Sequence, residues 1–323
     1  MKRLLLQATT VALLAALSGC DRQTPVAPTA RSVGPSLSKA AAPDAQDPLV
    51  AKLLDINAQL QARGMHVAIE EVSFFRIGEG RSNVRIHQQE FRWVPNDPRR
   101  LADGDRITYL VRNSRGATAS GLTAAQTGAA LDAALATWDA TQALKKLTIL
   151  KRNETAVDPD IYDGFFGFGG TDNEATADPF QADIVEAGWR PRAFFEAVGG
   201  PGGGRGILAF TVTFIFTDDV TNVPTDINGD NYFDTALAEV YYNDTFGNPA
   251  TDRVGNPWRI NQALPAIDVQ TVALHENGHA LELGHFGPPP DAVMNPVYAG
   301  IRQSPLAPDL AGMHAVWSSW PNP

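Results

Sequence analysis

The chain has 323 residues, of which 26 are basic and 36 acidic, and its net charge is −10. That balance disfavours nucleic acid as a partner and disfavours adhesion to anionic lipid through charge. The only cysteine is Cys20, so no disulfide can form within the chain, and a large hydrophobic core must stabilise the fold instead. The length is ample for one such core and a smaller unit.

The first 20 residues, MKRLLLQATTVALLAALSGC, have the pattern of an export signal. Lys2 and Arg3 precede an apolar run (4–17) that is too short to cross a bilayer as a helix. The ending LSGC resembles the lipobox of bacterial lipoproteins, in which the cysteine becomes the first mature residue and carries acyl chains. The alternative is an ordinary signal peptide with an incidental cysteine. We predict a signal peptide (1–19), a lipidated Cys20, and a protein anchored by lipid to the bacterial cell envelope, on its periplasmic or cell-surface face.

Two segments of different character follow the cysteine. Residues 20–47, rich in Pro, Ala, Ser and Thr, predict a disordered tether. Residues 48–104 predict a small α+β unit that is either a pro-segment or a packing appendage. In it, apolar residues at helical spacing predict a helix that stops at Gly64, and HVAIEEVSFFRI and NVRIHQQEFRWV predict two strands. The helical spacing is carried by Leu49, Leu53, Ile56 and Leu60.

Residues 105–323 predict a larger α+β domain. RITYLV, LTILK, ADIVEAG, GILAFTVTFIF and AEVYY are rich in β-branched and aromatic residues and predict strands. TAAQTGAALDAALATWDATQALKKL predicts a helix laid on the sheet, and DVQTVALHENGHALELG predicts a second helix with Asp268 as its N-cap. The glycine cluster GGPGGGRG lacks the Lys-Ser/Thr ending of a phosphate loop and predicts a flexible loop.

The segment HENGHALELGH (275–285) indicates a metal site. His275 and His279 lie four residues apart, so a helix directs both imidazoles to one ion. Glu276 is displaced sideways, where a carboxylate can reach a metal-bound water without ligating the metal, and can accept its proton. A bare HExxH also occurs by chance in surface helices. Here a third histidine, His285, and a downstream methionine, Met294, support the metal site.

HENGHALELGH followed by AVMNP resembles the metzincin zinc endopeptidases, and within them the matrixins. The resemblance implies that His275, His279 and His285 bind zinc, that Glu276 is the general base and that Met294 forms the Met-turn under the metal. It extends over roughly residues 105–320. IDVQTVALHE and SPLAPDLAGMHAVW resemble the approach to the active-site helix and the C-terminal helix of the family. GILAF and AEVYYND resemble the edge strand above the cleft and the strand before the active-site helix.

The chain also departs from the family. Beyond the three ligands only His66, His87 and His314 remain, none near the matching strands, so we predict no second zinc. Cys20 is committed to the anchor, so no cysteine is left to block the zinc in a latent form. Met294 could instead be ordinary core filling.

Glu282 stands where the family has a glycine that lets the chain leave the helix. A residue other than glycine at positive φ costs roughly 1 kcal/mol or more. Gly284 could serve as the helix stop instead. A rival reading makes Glu282 the third zinc ligand, but it lies about 10 Å along the helix axis from His275. We favour His285 as the ligand.

The stretch DINGDNYFD predicts a calcium loop, because oxygen ligands recur at alternate positions. It lacks glycine at position 6 and has Leu237 rather than glutamate at position 12, although Glu239 could substitute. The alternative is a polar surface turn. The candidate ligands are Asp226, Asn228, Asp230, Tyr232 and Asp234.

We therefore expect an α+β zincin-like domain with a twisted mixed sheet, a backing helix and an active-site helix. The expected function is that of a monomeric, secreted, lipid-anchored zinc endopeptidase that hydrolyses proteins or peptides. Substrate would add a strand along Ile207, Leu208, Ala209 and Phe210. The alternative is a non-catalytic, calcium-stabilised surface binding protein that retains a metal site, although a binding protein has no need of Glu276.

Overall fold

A mixed β-sheet forms the centre of the fold. The computed structural model describes residues 47–101, 104–141, 147–169, 178–250, 252 and 255–321. The sheet strands are β1 (Val67–Arg76), β2 (Asn83–Arg85), β3 (Phe91–Arg92), β4 (Ile107–Val111), β5 (Ile149–Arg152), β6 (Ile184–Arg190), β7 (Ile207–Phe216) and β8 (Phe233–Asn243). The helices are α1 (Pro48–Ala62), α2 (Ala124–Asp139), α3 (Arg192–Gly199), α4 (Gly203–Gly206), α5 (Val269–Ala280) and α6 (Ala307–Trp317). A separate two-stranded pair consists of β9 (Trp258–Arg259) and β10 (Ile267–Asp268).

The strand order is β2-β1-β7-β8-β6-β4-β5, and β3 pairs with β8. Strands β5, β4, β6 and β8 run parallel to their neighbours, whereas β7 and β1 add antiparallel pairs beyond β8. The predicted α+β class with a mixed sheet is therefore confirmed. The first strand of the segment 48–104 lies in the same sheet as the strands of 105–323. The boundary between residues 104 and 105 stays a prediction.

Each face of the sheet packs a separate hydrophobic core. One core contains side chains from α2, α5 and α6, with Leu131, Trp138 and Met294 among its members. The other contains side chains from α1 and α3, with Phe194 and Phe210 at its centre. The metal-site helix α5 thus lies on one face of the sheet and α1 on the other.

Most predicted elements are present, with several differences. The helix α1 begins at Pro48, and its predicted apolar face is buried. The predicted strand over 83–94 is instead two short strands, because the amide of His87 turns to bond the Glu70 side chain and β3 then pairs with β8. The glycine cluster contains the helical turn α4, and the helix α3 was not predicted. The active-site helix ends at Ala280, four residues before the predicted end.

Two sets of predictions lie outside the described residues. These are the signal peptide with its lipidated Cys20, and the tether up to residue 46. Within the described ranges, no helix is both long and apolar enough to cross a membrane.

Candidate metal centre and catalytic cleft

The helix α5 carries the first two histidines. Asp268 caps its N-terminus, because the Asp268 side chain accepts the backbone amide of Thr271 at 2.9 Å, so the predicted N-cap is confirmed. Trp138 on α2 donates its indole N–H to the carbonyl of Leu274 at 2.8 Å and fixes the helix against α2. His275 and His279 are one turn apart on this helix and face the same side.

The end of α5 returns the chain so that the third histidine reaches the other two. Glu282 has φ of +71°, the left-handed conformation that glycine usually supplies. Its amide bonds the carbonyl of His279 at 2.7 Å, and the amide of Leu283 bonds that of Gly278 at 2.9 Å. This pair of bonds is a Schellman motif. The expectation that Gly284 ends the helix is wrong, because Glu282 itself adopts the left-handed turn.

The three histidines form one compact cluster. The Nε2 atoms of His275 and His279 are 3.1 Å apart, and those atoms lie 3.2 and 3.1 Å from Nε2 of His285. Tetrahedral zinc with bonds of about 2.05 Å separates its nitrogen ligands by about 3.3 Å. Within the described ranges, this is the only group of three or more His, Cys, Asp or Glu side chains with metal-ligating spacing. The rival ligand Glu282 is not part of it.

The chemistry of the cluster also fits a zinc ion. Nδ1 of His275 lies 2.7 Å from the carbonyl oxygen of Val293, and Nδ1 of His279 lies 2.7 Å from that of Leu283. Protons on those Nδ1 atoms direct the Nε2 lone pairs towards one point. Burial lowers the pKa of all three imidazoles, that of His279 to about 4, so they are neutral at pH 7. Three converging neutral nitrogens are a donor set for zinc.

Met294 packs directly beneath the metal-site helix. Its side chain is fully buried, and a Cβ on Gly278 would lie only 2.3 Å from its sulfur. The glycine between the two helical histidines therefore makes room for the methionine. Asp309 on α6 accepts the amides of Val293 and Met294 at 2.9 and 3.1 Å and fixes the turn that orients His275.

Glu276 lies beside the cluster without joining it. Its Oε2 accepts a hydrogen bond of 2.7 Å from the hydroxyl of Thr211 on β7. Its Oε1 is buried and has no hydrogen-bond partner among the described residues. Burial raises the pKa of this carboxyl well above its usual range, whereas the Thr211 hydroxyl and the backbone amide of Phe75 lower it. One oxygen is thus held in place and the other is left to take up a proton.

A second buried glutamate supports the same helix turn. Glu186 on β6 accepts the side-chain amide of Asn277 at 2.6 Å and the hydroxyl of Tyr242 at 2.7 Å. Burial raises the pKa of Glu186 to about 7. Asn277 follows Glu276 in the chain, so this contact anchors the base-bearing turn to the sheet.

Glu282 faces away from the metal cluster. Its Oε1 accepts the backbone amide of Trp93 and the hydroxyl of Thr235, the latter at 3.0 Å. Burial raises its pKa to about 8. The Trp93 indole N–H also donates to the carbonyl of Ala280 at 2.9 Å, so the segment before β4 is bonded to the end of the metal-site helix.

The strand predicted to bind substrate is paired along both of its edges. β7, which includes Ile207–Phe210, lies between β8 and β1. The expected edge strand therefore has β1 at its outer side. Peptide addition along β7 stays a prediction, and it requires that β1 move.

The acidic loop does not gather its carboxylates around a common point. The Asp234 carboxylate is 2.7 Å from the Arg99 guanidinium and 2.6 Å from the Thr225 hydroxyl. The Asp226 carboxylate accepts the backbone amide of Asp230 at 3.0 Å. Calcium binding by this loop therefore stays a prediction without support from the side-chain geometry.

Sequence reasoning missed the residues that support the site from distant segments, namely Thr211, Glu186 and Asp309. Among the supporting residues only Gly278 is detectable from the sequence. A glycine inside a helix normally lowers its stability by about 1 kcal/mol, so its presence there indicates a packing constraint.

Residues 211–317, about a third of the chain, match the model of the matrixin family of peptidases. The match includes Thr211, the three histidines, Glu276 and Met294. No curated protein matches the chain. The match supports a metallopeptidase-type function, and with the histidine cluster it shows that the chain carries a matrixin-like metzincin region.

Proposed function

We propose that the protein is a zinc-dependent endopeptidase whose general base is Glu276. The observation that carries this proposal is the free Oε1 of Glu276 beside three converging imidazoles, with Oε2 held by Thr211. A purely structural zinc site needs no such carboxylate. It is usually closed by a fourth protein ligand, and within the described ranges the cluster has three.

Different side chains have different roles in the proposed hydrolysis. His275, His279 and His285 would hold zinc, which supplies Lewis acidity and lowers the pKa of water towards 7. Glu276 takes the proton of the attacking water at Oε1 and passes it to the amine that leaves. Thr211 holds the carboxylate in place through its hydrogen bond to Oε2.

We further propose that the protein is exported and anchored by lipid at Cys20. The support is the sequence pattern of residues 1–20 alone. Cys20→Ser should release the protein from membranes without loss of peptidase activity, because stable attachment needs two or more acyl chains. Recovery of wild type in the soluble fraction, without a lipid mass at Cys20, would contradict this proposal.

Zinc content and peptide cleavage test the proposed function together. Purified full-length protein should contain about one zinc per chain, and removal of zinc by 1,10-phenanthroline should abolish its cleavage of casein. Glu276→Ala is the matched control, since it removes the base and keeps the ligands. Stoichiometric zinc with no peptidase activity in wild type or in a variant with an opened cleft would favour the non-catalytic binding protein.

A further inference from the structure

The chain's own strand β1 lies along β7 at the metal site. The two strands pair antiparallel from Val67 beside Phe216 to Arg76 beside Ile207. The strand β7 carries Thr211, which holds Glu276. A peptide that added to the outer edge of β7 would therefore need the position that β1 occupies.

The end of β1 is held from both sides of its backbone. The amide of Arg76 donates to the carbonyl of Pro296 at 3.1 Å, and the carbonyl of Arg76 accepts the amide of Tyr298 at 2.8 Å. On the other side the amide of Ile77 donates to the carbonyl of Gly206 at 2.8 Å. Extended backbone bonded on two sides is how a cleft holds a peptide by β-strand addition.

The side chain of Phe75 fills an apolar slot next to the metal ligands. Its ring stacks on the His275 imidazole, with centroids 3.8 Å apart and planes at 9°. The Tyr298 ring packs edge-on against it at 5.9 Å. Phe75 is 3% exposed, so its ring closes the slot to solvent.

The register of β1 on β7 brings the Phe74–Phe75 peptide bond next to the strand that holds the candidate base. The Phe75 amide nitrogen is in the residue opposite Ala209, two residues before Thr211, whose hydroxyl holds the Glu276 carboxylate. That amide nitrogen belongs to the bond between Phe74 and Phe75. A general base that returns a proton to a leaving amine must lie beside that nitrogen.

The same contacts close the site to other peptides. His275 and Glu276 have no solvent exposure, and His279 and His285 are 5% and 8% exposed. Because β1 is paired to β7 and the Phe75 ring lies on His275, a substrate cannot take that position unless the covering segment leaves.

We propose that residues 73–77 are an internal peptide that occupies the catalytic cleft in the manner of a substrate and keeps the protein latent. This inference rests on the proposed function. The remainder of β1 stays in the sheet, because Ile69 and Val72 belong to the core on the opposite face, whereas release of residues 73–77 must withdraw Phe74 from that core. Only the end beyond Val72 needs to leave.

The geometry beyond this end suits local release. β1 is followed by Gly78 and Gly80, with φ of +75° and +157°, before β2 returns. The Nε of Arg76 is buried and has no hydrogen-bond partner among the described residues. This unpaired donor destabilises the conformation in which the end of β1 lies in the cleft. The packing of the Phe75 ring and the three backbone hydrogen bonds stabilise the end of β1 in the cleft and offset this destabilisation.

The test compares variants of Phe75 in the full-length, zinc-loaded protein. Phe75→Ala empties the slot, so cleavage of casein should rise by about tenfold or more, since apparent affinity scales with the fraction of molecules whose cleft is open. Phe75→Leu still fills the slot and should stay near the wild-type rate. Val72→Ala, in the same strand but on the other face, controls for general loosening and should also stay low.

Hydrogen exchange and zinc analysis separate the outcomes. The amides of Arg76 and Ile77 should exchange faster in Phe75→Ala than in wild type, at equal zinc content. Equal casein cleavage by wild type and Phe75→Ala would overturn latency and leave the proposed function intact. Faster exchange and bound zinc without any cleavage would overturn the proposed function and latency with it, and unchanged exchange would overturn the role of Phe75.

A cut in the chain itself is a further readout. Hydrolysis of the Phe74–Phe75 bond would add water across it and leave a carboxylate on Phe74 and an amine on Phe75. A wild-type fragment that begins at Phe75, absent from Glu276→Ala, would support the proposed alignment. A cut of the zinc-loaded chain by its own site at a different bond within residues 73–77 would contradict it.

Discussion

The segment 48–104 and the region 211–317 contribute differently to one site: the second contains the histidine cluster and the first covers it. The second region holds the three clustered histidines and the proposed base, and it is the region that matches a family. The first contributes no ligand to the cluster, yet its strand β1 covers the cluster and Phe75 stacks on His275. The groups proposed to perform the chemistry and the groups proposed to control access to it therefore come from parts of the chain more than a hundred residues apart.

The two regions are joined at the end of the metal-site helix. Trp93 bonds both the carbonyl of Ala280 and the carboxylate of Glu282. The same Glu282 adopts the left-handed turn that brings His285 back to the metal. Glu282 is an unusual residue at such a turn. Its side chain also accepts a hydrogen bond from Trp93, in the segment that follows the covering strand β1.

The largest effect should come from His285→Ala, which tests the second region alone. Loss of one of three ligands should weaken zinc binding by at least about a hundredfold, the upper range found for mere supporting residues. Metal analysis after dialysis against graded zinc buffers measures it. Glu282→Gln is the matched control and should keep its zinc. Zinc retained by His285→Ala but lost by Glu282→Gln would reverse the ligand assignment.

Gly278→Ala should destabilise the metal-site helix by about 1–3 kcal/mol, because the added Cβ meets the buried sulfur of Met294. Chemical denaturation measures the free energy of unfolding. Gly128→Ala on α2 is the matched control, since its Cβ would meet no atom closer than 3.4 Å. That control should be neutral or stabilised by up to about 1 kcal/mol. Equal effects at the two glycines would show that Met294 does not press on the helix.

Glu282→Gly tests the contact between the two regions, the hydrogen bond from Trp93 to Glu282. Glycine relieves the positive φ by about 1 kcal/mol, but the amide of Trp93 and the hydroxyl of Thr235 lose their acceptor at about 1–3 kcal/mol for a buried donor. We expect a net loss of about 1 kcal/mol with zinc binding unchanged. Greater stability than wild type would mean that the Trp93 contact contributes nothing.

The last expected effect is a change in the pH dependence of stability. The pKa of Glu282 is raised from 4.5 to about 8 by burial, so between those values the unfolded chain has released a proton that the folded chain keeps. The folded state therefore loses stability as pH rises through this window, by up to about 1.4 kcal/mol per pH unit.

Glu282→Gln cannot titrate, so its stability relative to wild type should increase from pH 4.5 to about 8 and then level off. Denaturation of zinc-free protein across this range measures the difference, in which the shared histidines cancel. Val72→Ala, which removes no titrating group, should follow the wild-type slope. A constant difference between Glu282→Gln and wild type would contradict the buried, protonated state.

Local patterns were enough to predict much of this molecule. Helical spacing identified α1, and two histidines four apart identified the metal site, because both depend on neighbours within one helix. The helix ends through Glu282 and not at Gly284, because hydrogen bonds from Trp93 and Thr235 stabilise Glu282 in a left-handed conformation that glutamate normally disfavours. Local propensity contains no information on such distant partners.

Strand pairing was the main feature that the sequence could not reveal. β1 was recognised as a strand by composition, but its pairing with β7 joins residues about 140 positions apart. The support of Glu276 by Thr211 and of Val293 by Asp309 is equally non-local. The family resemblance extends over roughly residues 105–320 and leaves out the segment 48–104, so it could not show that this segment covers the cleft.

The most direct test of the central claim is the rate of peptide hydrolysis by Phe75→Ala with and without Glu276→Ala, at measured zinc content. The double variant should hold as much zinc as Phe75→Ala and cleave casein about 10²–10⁴-fold more slowly, because the proton acceptor is gone and the ligands remain. Undiminished hydrolysis by the double variant, or zinc lost together with activity, would contradict the role assigned to Glu276.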